Sequence, residues 1–207
     1  MSDQKSGAAF SHPKSRPPMN DVEGCLPSGT PLVSRPYPMI TLPEAALEYA
    51  QRGYPIFPCH SRAPDAQCTC GRSACSGNSR AKHPRTARGL HDATTEIVQV
   101  RAWWSQWPDA NIGLNLGLAG LVVIDCDQHD PERDGVANFK ALLAELGLAD
   151  LQTARVMTGG GGQHWYFRAP GVKLVGTLGL GIDVKQAGGY VILPPSQHIS
   201  GTRYAWT

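Results

Sequence analysis

The sequence carries little net charge and no long apolar run. Its formal net charge is +2 over 207 residues, which by itself is too small to indicate a nucleic-acid partner. No apolar stretch approaches the roughly 20 residues of a membrane-spanning helix, and the N-terminus lacks the apolar core of a signal peptide. We therefore expect a cytoplasmic protein with no membrane partner.

The composition indicates a globular domain that is rich in glycine and proline, with 23 and 17 residues. Because 41% of the residues are hydrophobic, the chain can bury a real core. Residues 1–38 are rich in Ser, Pro and Gly and lack apolar periodicity, which predicts a disordered tail. Residues 39–207 are expected to form the folded domain.

Helical patterns come early in this domain and strand patterns late. Thr41 to Glu44 forms a capping box at the start of a helix over about 43–52, and apolar residues recur at helical spacing over about 95–107 and about 136–146. Strands are predicted at about 54–58, 112–116, 121–127, 155–158, 163–168, 182–185 and 190–193. This order predicts an α+β fold whose last four strands form a largely antiparallel sheet.

Two acidic residues end an apolar run from Leu121 to Ile124. Asp125 and Asp127 are two residues apart, so on a strand their side chains point to the same face. Hard divalent ions such as Mg²⁺ or Mn²⁺ take oxygen ligands, and paired ions held by carboxylates serve phosphoryl transfer. A solvated strand end is the alternative for this pair on its own.

The cysteines concentrate in one loop. Of the six in the chain, three fall within eight residues and no export signal accompanies them, which favours metal binding over disulfides. Cys68, Cys70, Cys75 and His83 form the four-ligand set that structural zinc prefers. Cys59 and His60 are rival ligands, and free thiols in a reducing cytosol are the alternative. We predict a zinc-binding loop over about 59–88.

The same region concentrates positive charge. Residues 61–101 hold seven Lys or Arg and three Asp or Glu. One interpretation is a zinc-held basic lobe that faces a phosphate backbone, and the other is a solvated charged face. The cations predicted to contact DNA are Arg72, Lys82, Arg85 and Arg88.

A glycine-rich turn joins two of the late strands. Gly159 to Gly162 precede Gln163 and His164, and the backbone of Gly160, Gly161 and Gly162 can come close to an anion and point N–H groups at it. A histidine beside such a turn suits a triphosphate. The alternative is a flexible hairpin followed by an exposed histidine.

Two later segments add further polar groups. Asp183 and Lys185 share one face of a predicted strand, and Asp183 is a third candidate acidic ligand. Ser196 and His198 follow a Pro-Pro turn and can contact a phosphate or a sugar. Taken singly, Asp183 and Lys185 are also compatible with a surface salt bridge, and the segment with Ser196 and His198 is also compatible with an ordinary loop.

The order of these motifs resembles one known family. A D-x-D strand end, Gly162-Gln163-His164, Ile182-Asp183 and a final P-P-S-x-H run occur as in the prim-pol branch of the archaeo-eukaryotic primase superfamily, the bifunctional DNA primase/polymerase N-terminal domain. The Cys-rich loop with its Lys-His-Pro sequence and the Trp103-Trp104 pair are further family-like features. The similarity covers about residues 39–207.

This resemblance implies a catalytic core with an RRM-like sheet, a small N-terminal α/β module and a loop stabilised by one structural Zn²⁺. It implies that two Mg²⁺ or Mn²⁺ ions are held by Asp125, Asp127 and Asp183, which form the catalytic set with His164. The implied nucleotide-binding residues are Gly160, Gly161, Gly162, His164, Lys185, Ser196 and His198.

The implied partners are a single-stranded DNA template, a primer, and dNTPs or NTPs. We also expect a helicase or helical-bundle module as a partner, because relatives often carry one. Two other classes stay open: a metal-dependent nuclease that uses the same carboxylates, and a non-catalytic zinc-dependent DNA-binding module. The motif order favours a template-dependent primase/polymerase over both.

Overall fold

The computed structural model describes residues 40–128 and 131–207, and the tail predicted at 1–38 lies outside them. The described helices are α1 (Leu42–Gln51), α2 (Ile97–Gln106), α3 (Leu116–Ala119) and α4 (Gly135–Glu145). The strands are β1 (Ile56–Cys59), β2 (Asn111–Asn115), β3 (Leu121–Cys126), β4 (Arg155–Met157), β5 (Gln163–Arg168), β6 (Thr177–Gly179), β7 (Ile182–Lys185), β8 (Tyr190–Leu193) and β9 (Ala205–Trp206). Helices and antiparallel strands of this kind confirm the α+β class.

Side-chain caps begin the helices α1 and α4. The Thr41 hydroxyl accepts the N–H of Glu44, and the Glu44 carboxylate accepts the N–H of Thr41 at 2.8 Å. Asp134 caps α4 by accepting the N–H of Ala137 at 2.9 Å. Such contacts satisfy N–H groups that have no partner inside the helix. The capping box and the apolar periodicity therefore predicted these two helices correctly.

The strands form two antiparallel sheets. One has the order β1-β2-β8, and the other has the order β6-β7-β3-β5-β4-β9. The prediction that residues 190–193 continue the sheet of the late hairpins is wrong, because β8 pairs with β2 from Ile112 opposite Leu193 to Asn115 opposite Tyr190. The RRM-like core that the resemblance implied stays a prediction.

The six-stranded sheet is covered differently on its two faces. On one face, Phe139 and Leu143 of α4 belong to the same apolar cluster as Ile124 and Trp165. On the other face, Val123 and Tyr166 join the larger core that contains residues of α1, α2 and the three-stranded sheet. Since side chains alternate along a strand, Asp125 and His164 point to this second face. In the described part of the chain no helix is both long and apolar enough to cross a membrane.

Candidate active site and metal centre

The six-stranded sheet places three predicted catalytic residues side by side. Asp125 on β3 is paired with His164 on β5 and with Asp183 on β7. Directly opposite side chains of antiparallel strands have Cβ atoms about 4.5–5.5 Å apart. The pairing register therefore brings together residues that are far apart in the sequence, all on the face opposite α4.

Charged contacts connect these side chains. His164 Nε2 lies 3.3 Å from Asp125 Oδ1, and Lys185 Nζ lies 2.7 Å from Asp183 Oδ2 and 3.7 Å from Asp125 Oδ2. Burial alone would raise the pKa of Asp125, but the hydrogen bond from His164 and the charges of Lys185 and Lys82 outweigh it and lower that pKa. The Asp125 carboxylate is therefore ionised at neutral pH.

Asp127 is held at the end of β3 by its backbone. Its N–H donates to the carbonyl of Gly181 and its carbonyl accepts the N–H of Gly135, both at 2.8 Å. Its half-buried side chain follows Asp125 at the spacing that sets both carboxylates on one face. Backbone contacts to the segments before β7 and α4 thus fix the second position of the D-x-D motif.

The three carboxylates suit hard divalent ions. Oxygen ligands from Asp side chains are what Mg²⁺ and Mn²⁺ take. The position between Asp125 and Asp183 accommodates a cation, because the Lys185 ammonium already lies there. The assignment of Asp125, Asp127 and Asp183 as ligands of such ions stays a prediction, because the compact ligand group among the described residues is that of Cys68, Cys70, Cys75 and His83.

The glycine-rich turn is closely packed. A Cβ atom at Gly162 would lie 2.3 Å from the carbonyl oxygen of Cys126, and one at Gly159 would lie 2.2 Å from the Cβ of His198. The turn closes by hydrogen bonds from Thr158 N–H to the Gly162 carbonyl at 2.9 Å and from Gly161 N–H to the Thr158 carbonyl at 3.0 Å. Glycine is therefore needed where β5 starts against β3 and where the turn meets His198.

The two polar residues after the Pro-Pro turn have different surroundings. Ser196 is fully buried, and its Oγ accepts the N–H of Ile112 at 2.8 Å. His198 is half-buried beside the glycine-rich turn, and its Nδ1 lies 3.0 Å from Ser200 Oγ. The structure gives Ser196 a contact that holds the turn to β2, and its nucleotide contact stays a prediction.

The Cys-rich loop brings its four predicted ligands together. One ligand atom from each of Cys68, Cys70, Cys75 and His83 lies within 4.8 Å of all the others. His83 Nε2 is 3.4 Å from Cys68 Sγ and 3.6 Å from Cys75 Sγ. Three sulfurs and one imidazole match the ligands of structural zinc sites, so this group could hold zinc.

The rival ligands lie outside this group. Cys59 is fully buried in β1, and the ring of His60 lies 4.4 Å from that of His83 with its Nδ1 3.2 Å from Thr69 Oγ1. Burial and the nearby charges of Arg85 and His83 lower the pKa of His60 to about 4. His60 is therefore a neutral neighbour of the metal group.

The thiols of the group influence one another. Burial works to raise the pKa of Cys70, but the N–H of Arg72 and the hydrogen bonds with Cys68 and Cys75 lower it overall. Burial and the hydrogen bonds with Cys70 and Cys68 raise the pKa of Cys75 to about 11. Cysteine binds zinc as the deprotonated thiolate. A bound zinc ion would therefore favour the thiolate form of all three cysteines.

The four cations predicted to contact DNA do not share one environment. Arg72 is exposed, and Arg88 is paired with Asp92 at 2.7 Å. Arg85 donates to Thr69 Oγ1 at 2.7 Å and lies 5.6 Å from the ring centre of Trp107. Lys82 is half-buried, and burial lowers its pKa although the negative charges of Asp125 and Asp127 oppose that shift.

An α+β fold with carboxylates and a histidine on one sheet face is compatible with a class of proteins that carry out metal-dependent phosphoryl transfer. Residues 46–207 match the sequence profile of Prim-Pol, the bifunctional DNA primase/polymerase N-terminal domain, and the chain belongs to this family. Its members are in general DNA primases and polymerases that use divalent metals, DNA and nucleotides. No curated protein matches the chain at a significant level.

Proposed function

We propose that this chain is a template-dependent DNA primase/polymerase that joins nucleotides at the carboxylate face of the six-stranded sheet. One observation carries the proposal: Asp125 is paired with both Asp183 and His164 in the same sheet. This register places acidic side chains and an imidazole on one face, and paired divalent ions held by carboxylates serve nucleotidyl transfer. Membership of the prim-pol family supports polymerisation as the chemistry.

The chain's own residues take distinct roles in this proposal. Asp125, Asp127 and Asp183 hold two divalent ions, Mg²⁺ or Mn²⁺, which when bound stabilise charge on the attacking and leaving oxygens. His164 contacts the phosphates of the incoming nucleotide, and its contact with Asp125 fixes the orientation of both groups.

The phosphates also lie against the turn formed by Gly160, Gly161 and Gly162, with Lys185 and His198 nearby. The Gly161 N–H already donates to the Thr158 carbonyl at 3.0 Å, so the other backbone N–H groups of the turn would supply the anion contact. Lys185 then moves from Asp183 toward the nucleotide when the carboxylates bind cations.

The substrates are a single-stranded DNA template, a primer, and dNTPs or NTPs. Exposed Arg72 and the exposed side of Arg88 would contact the DNA backbone, since cations near phosphates supply sequence-independent affinity. One Zn²⁺ on the Cys₃His group would hold this loop in place. A helicase or helical-bundle module is the expected protein partner.

A template assay tests the proposal directly. The full chain is incubated with a labelled primer on a DNA template, or with template alone, in Mg²⁺ or Mn²⁺ and with dNTPs or NTPs. We expect template-directed extension of the primer, and products on template alone if the protein also primes. Shortening of the labelled strand without nucleotides would instead indicate a nuclease, which can use the same Asp125–His164 pair. Zinc-dependent DNA binding without either product would indicate a binding module.

A further inference from the structure

Asn111 joins three segments of the chain through one buried side-chain amide. Its Nδ2 donates to the carbonyl of Ala81 at 2.8 Å and to that of Gln197 at 2.7 Å, and its Oδ1 accepts the N–H of Gln197 at 2.9 Å. The side chain is fully buried. Two carbonyls and one N–H fit the donors and the oxygen of an amide in only one orientation. The Asn111 amide is therefore fixed at the start of β2.

Side chains continue the attachment to β2 where the strand pairing ends. The pairing of β8 with β2 ends at Leu193, opposite Ile112. The Ser196 hydroxyl then accepts the N–H of Ile112 at 2.8 Å, and the Asn111 amide holds both the N–H and the carbonyl of Gln197. An amide that donates to and accepts from one residue does what a paired strand does for its backbone groups.

These contacts fix the residue directly before His198. Residues 196–204, which we call the His198 hairpin, fold back so that the His198 N–H donates to the Thr202 carbonyl at 2.9 Å. The hairpin packs on the glycine-rich turn, because Ser200 Oγ donates to the Gly159 carbonyl at 2.8 Å and a Cβ at Gly159 would lie 2.2 Å from the Cβ of His198. The hairpin is thus held by β2 and by the turn.

The His198 hairpin reaches the carboxylate face through Tyr204. This buried ring has its centre 6.4 Å from that of His198 and 6.2 Å from that of His164, and His164 contacts Asp125. The attachment of the hairpin therefore sets where His198 lies relative to the proposed nucleotide phosphates. A displacement of about 1 Å in a substrate-contacting group is enough to lose much of its effect.

We propose that Asn111 is a positioning residue for His198, which it holds where the imidazole contacts a phosphate of the incoming nucleotide. This inference rests on the proposed polymerase function and adds to it a residue that does not touch the substrate. Asn111 also connects the Cys-rich loop to the nucleotide site, since Ala81 belongs to that loop. Loss of the Ser196 hydroxyl would leave both bonds between Asn111 and Gln197 in place, so Ser196 is not expected to act on His198 in this way.

Asn115 provides the matched control. It is the asparagine at the other end of β2 and is also buried. Its amide donates to the Leu90 carbonyl at 2.9 Å and accepts the N–H of Leu118 at 3.1 Å. A purely structural role of Asn111 would make the two alanine variants alike, with lower stability and unchanged nucleotide binding.

The test compares Asn111→Ala, Asn115→Ala, His198→Ala and the double variant of Asn111 and His198 with the wild type, at a temperature where all are folded. The affinity for dATP is measured by calorimetric titration in Ca²⁺, and KM and kcat by primer extension in Mg²⁺. We expect Asn111→Ala to weaken dATP binding and raise KM about tenfold, the size of the loss of one hydrogen bond to a charged group, with a smaller change in kcat. Asn115→Ala should lose stability and keep the wild-type affinity for dATP.

The double variant tests whether Asn111 acts through His198. Residues that act as one unit give losses that do not add, so Asn111→Ala should change dATP affinity little in the His198→Ala protein. Asn111→Asp keeps the volume and the acceptor for the Gln197 N–H but loses both donated bonds. It should therefore raise KM as well, and it replaces Asn111→Ala if the alanine variant does not fold.

Two results would overturn the inference: wild-type dATP affinity in a folded Asn111 variant, and losses that multiply in the double variant. A wild-type protein that binds dATP but extends no primer would instead contradict the proposed function, while the dATP titrations would still decide the role of Asn111.

Discussion

Asp125 lies opposite Asp183 across the β3–β7 pair, and the Lys185 ammonium contacts both carboxylates. Two carboxylates on facing positions repel each other unless a cation lies near them. A slip of one residue in this pairing would turn Asp183 toward α4, because alternate side chains of a strand point to opposite faces. The register of β7 on β3 is therefore what assembles the candidate catalytic face.

Acid should weaken the fold partly through Asp125. Its folded-state pKa lies below the ordinary value, so its contribution to stability is present above the unfolded pKa of about 4 and is lost as pH falls through the folded value. We expect Asp125→Asn to lose less stability than the wild type between about pH 7 and about pH 3. Urea unfolding at both pH values checks this, with Asp150→Asn, an exposed site, as the control. Equal losses in wild type and Asp125→Asn would contradict it.

The purified chain should contain about one zinc ion per molecule, as four-ligand structural sites do. Cys70→Ser should lose that metal, because Cys70 supplies one ligand atom of the group. Cys59→Ala should keep it, because Cys59 lies outside the group and is buried in β1. Elemental analysis of the three proteins decides the matter. A folded wild-type protein without metal would refute the zinc assignment.

Alanine at Gly162 should damage both stability and activity. Its Cβ would lie 2.3 Å from a backbone oxygen, which forces β5 away from β3, and overpacking of this kind costs about 1–3 kcal/mol. Gly176→Ala is the matched control, since a Cβ there meets nothing within 4 Å, and its cost should stay within about 0.5 kcal/mol. Denaturant unfolding measures the free energies of both variants. Similar values for the two would show that the turn can relax.

Ser196→Ala separates a structural contact from a nucleotide contact. The change leaves the buried N–H of Ile112 without its acceptor, which costs about 1–3 kcal/mol of stability. We expect a lower unfolding free energy and an unchanged KM for the nucleotide at a temperature where the variant is folded. A raised KM with unchanged stability would instead support the nucleotide role predicted from the sequence.

Local signals predicted the parts of this fold that depend on neighbouring residues. The capping box of α1, the helical periodicity of α4 and the apolar run of β3 each reflect interactions within a few residues. The strands β6 and β9 escaped prediction because β6 is exposed along its length and β9 has two residues. The partner of β8 also escaped, since strand pairing depends on contacts distant in the sequence.

The candidate site also has some features that the sequence predicts and others that depend on contacts between residues far apart in the chain. The motif order predicted a site of Asp125, Asp127, His164 and Asp183, and the sheet brings Asp125, His164 and Asp183 into one register. The hydrogen bonds that Asn111 and Tyr190 donate to the backbone of the Cys-rich loop had no sequence signal, because they join residues that are far apart in the chain. The buried bond of Ser196 was hidden for the same reason.

Primer extension by Asp183→Asn is the most direct test of the proposed catalytic face, because Asp183 joins it only through the β3–β7 register. With a primed DNA template, dNTPs and Mn²⁺, we expect extension to fall at least about a hundredfold, the size of the loss of a group that stabilises transition-state charge. Asp150→Asn, at an exposed site away from that face, should extend the primer like the wild type. Undiminished extension by a folded Asp183→Asn protein would contradict the account.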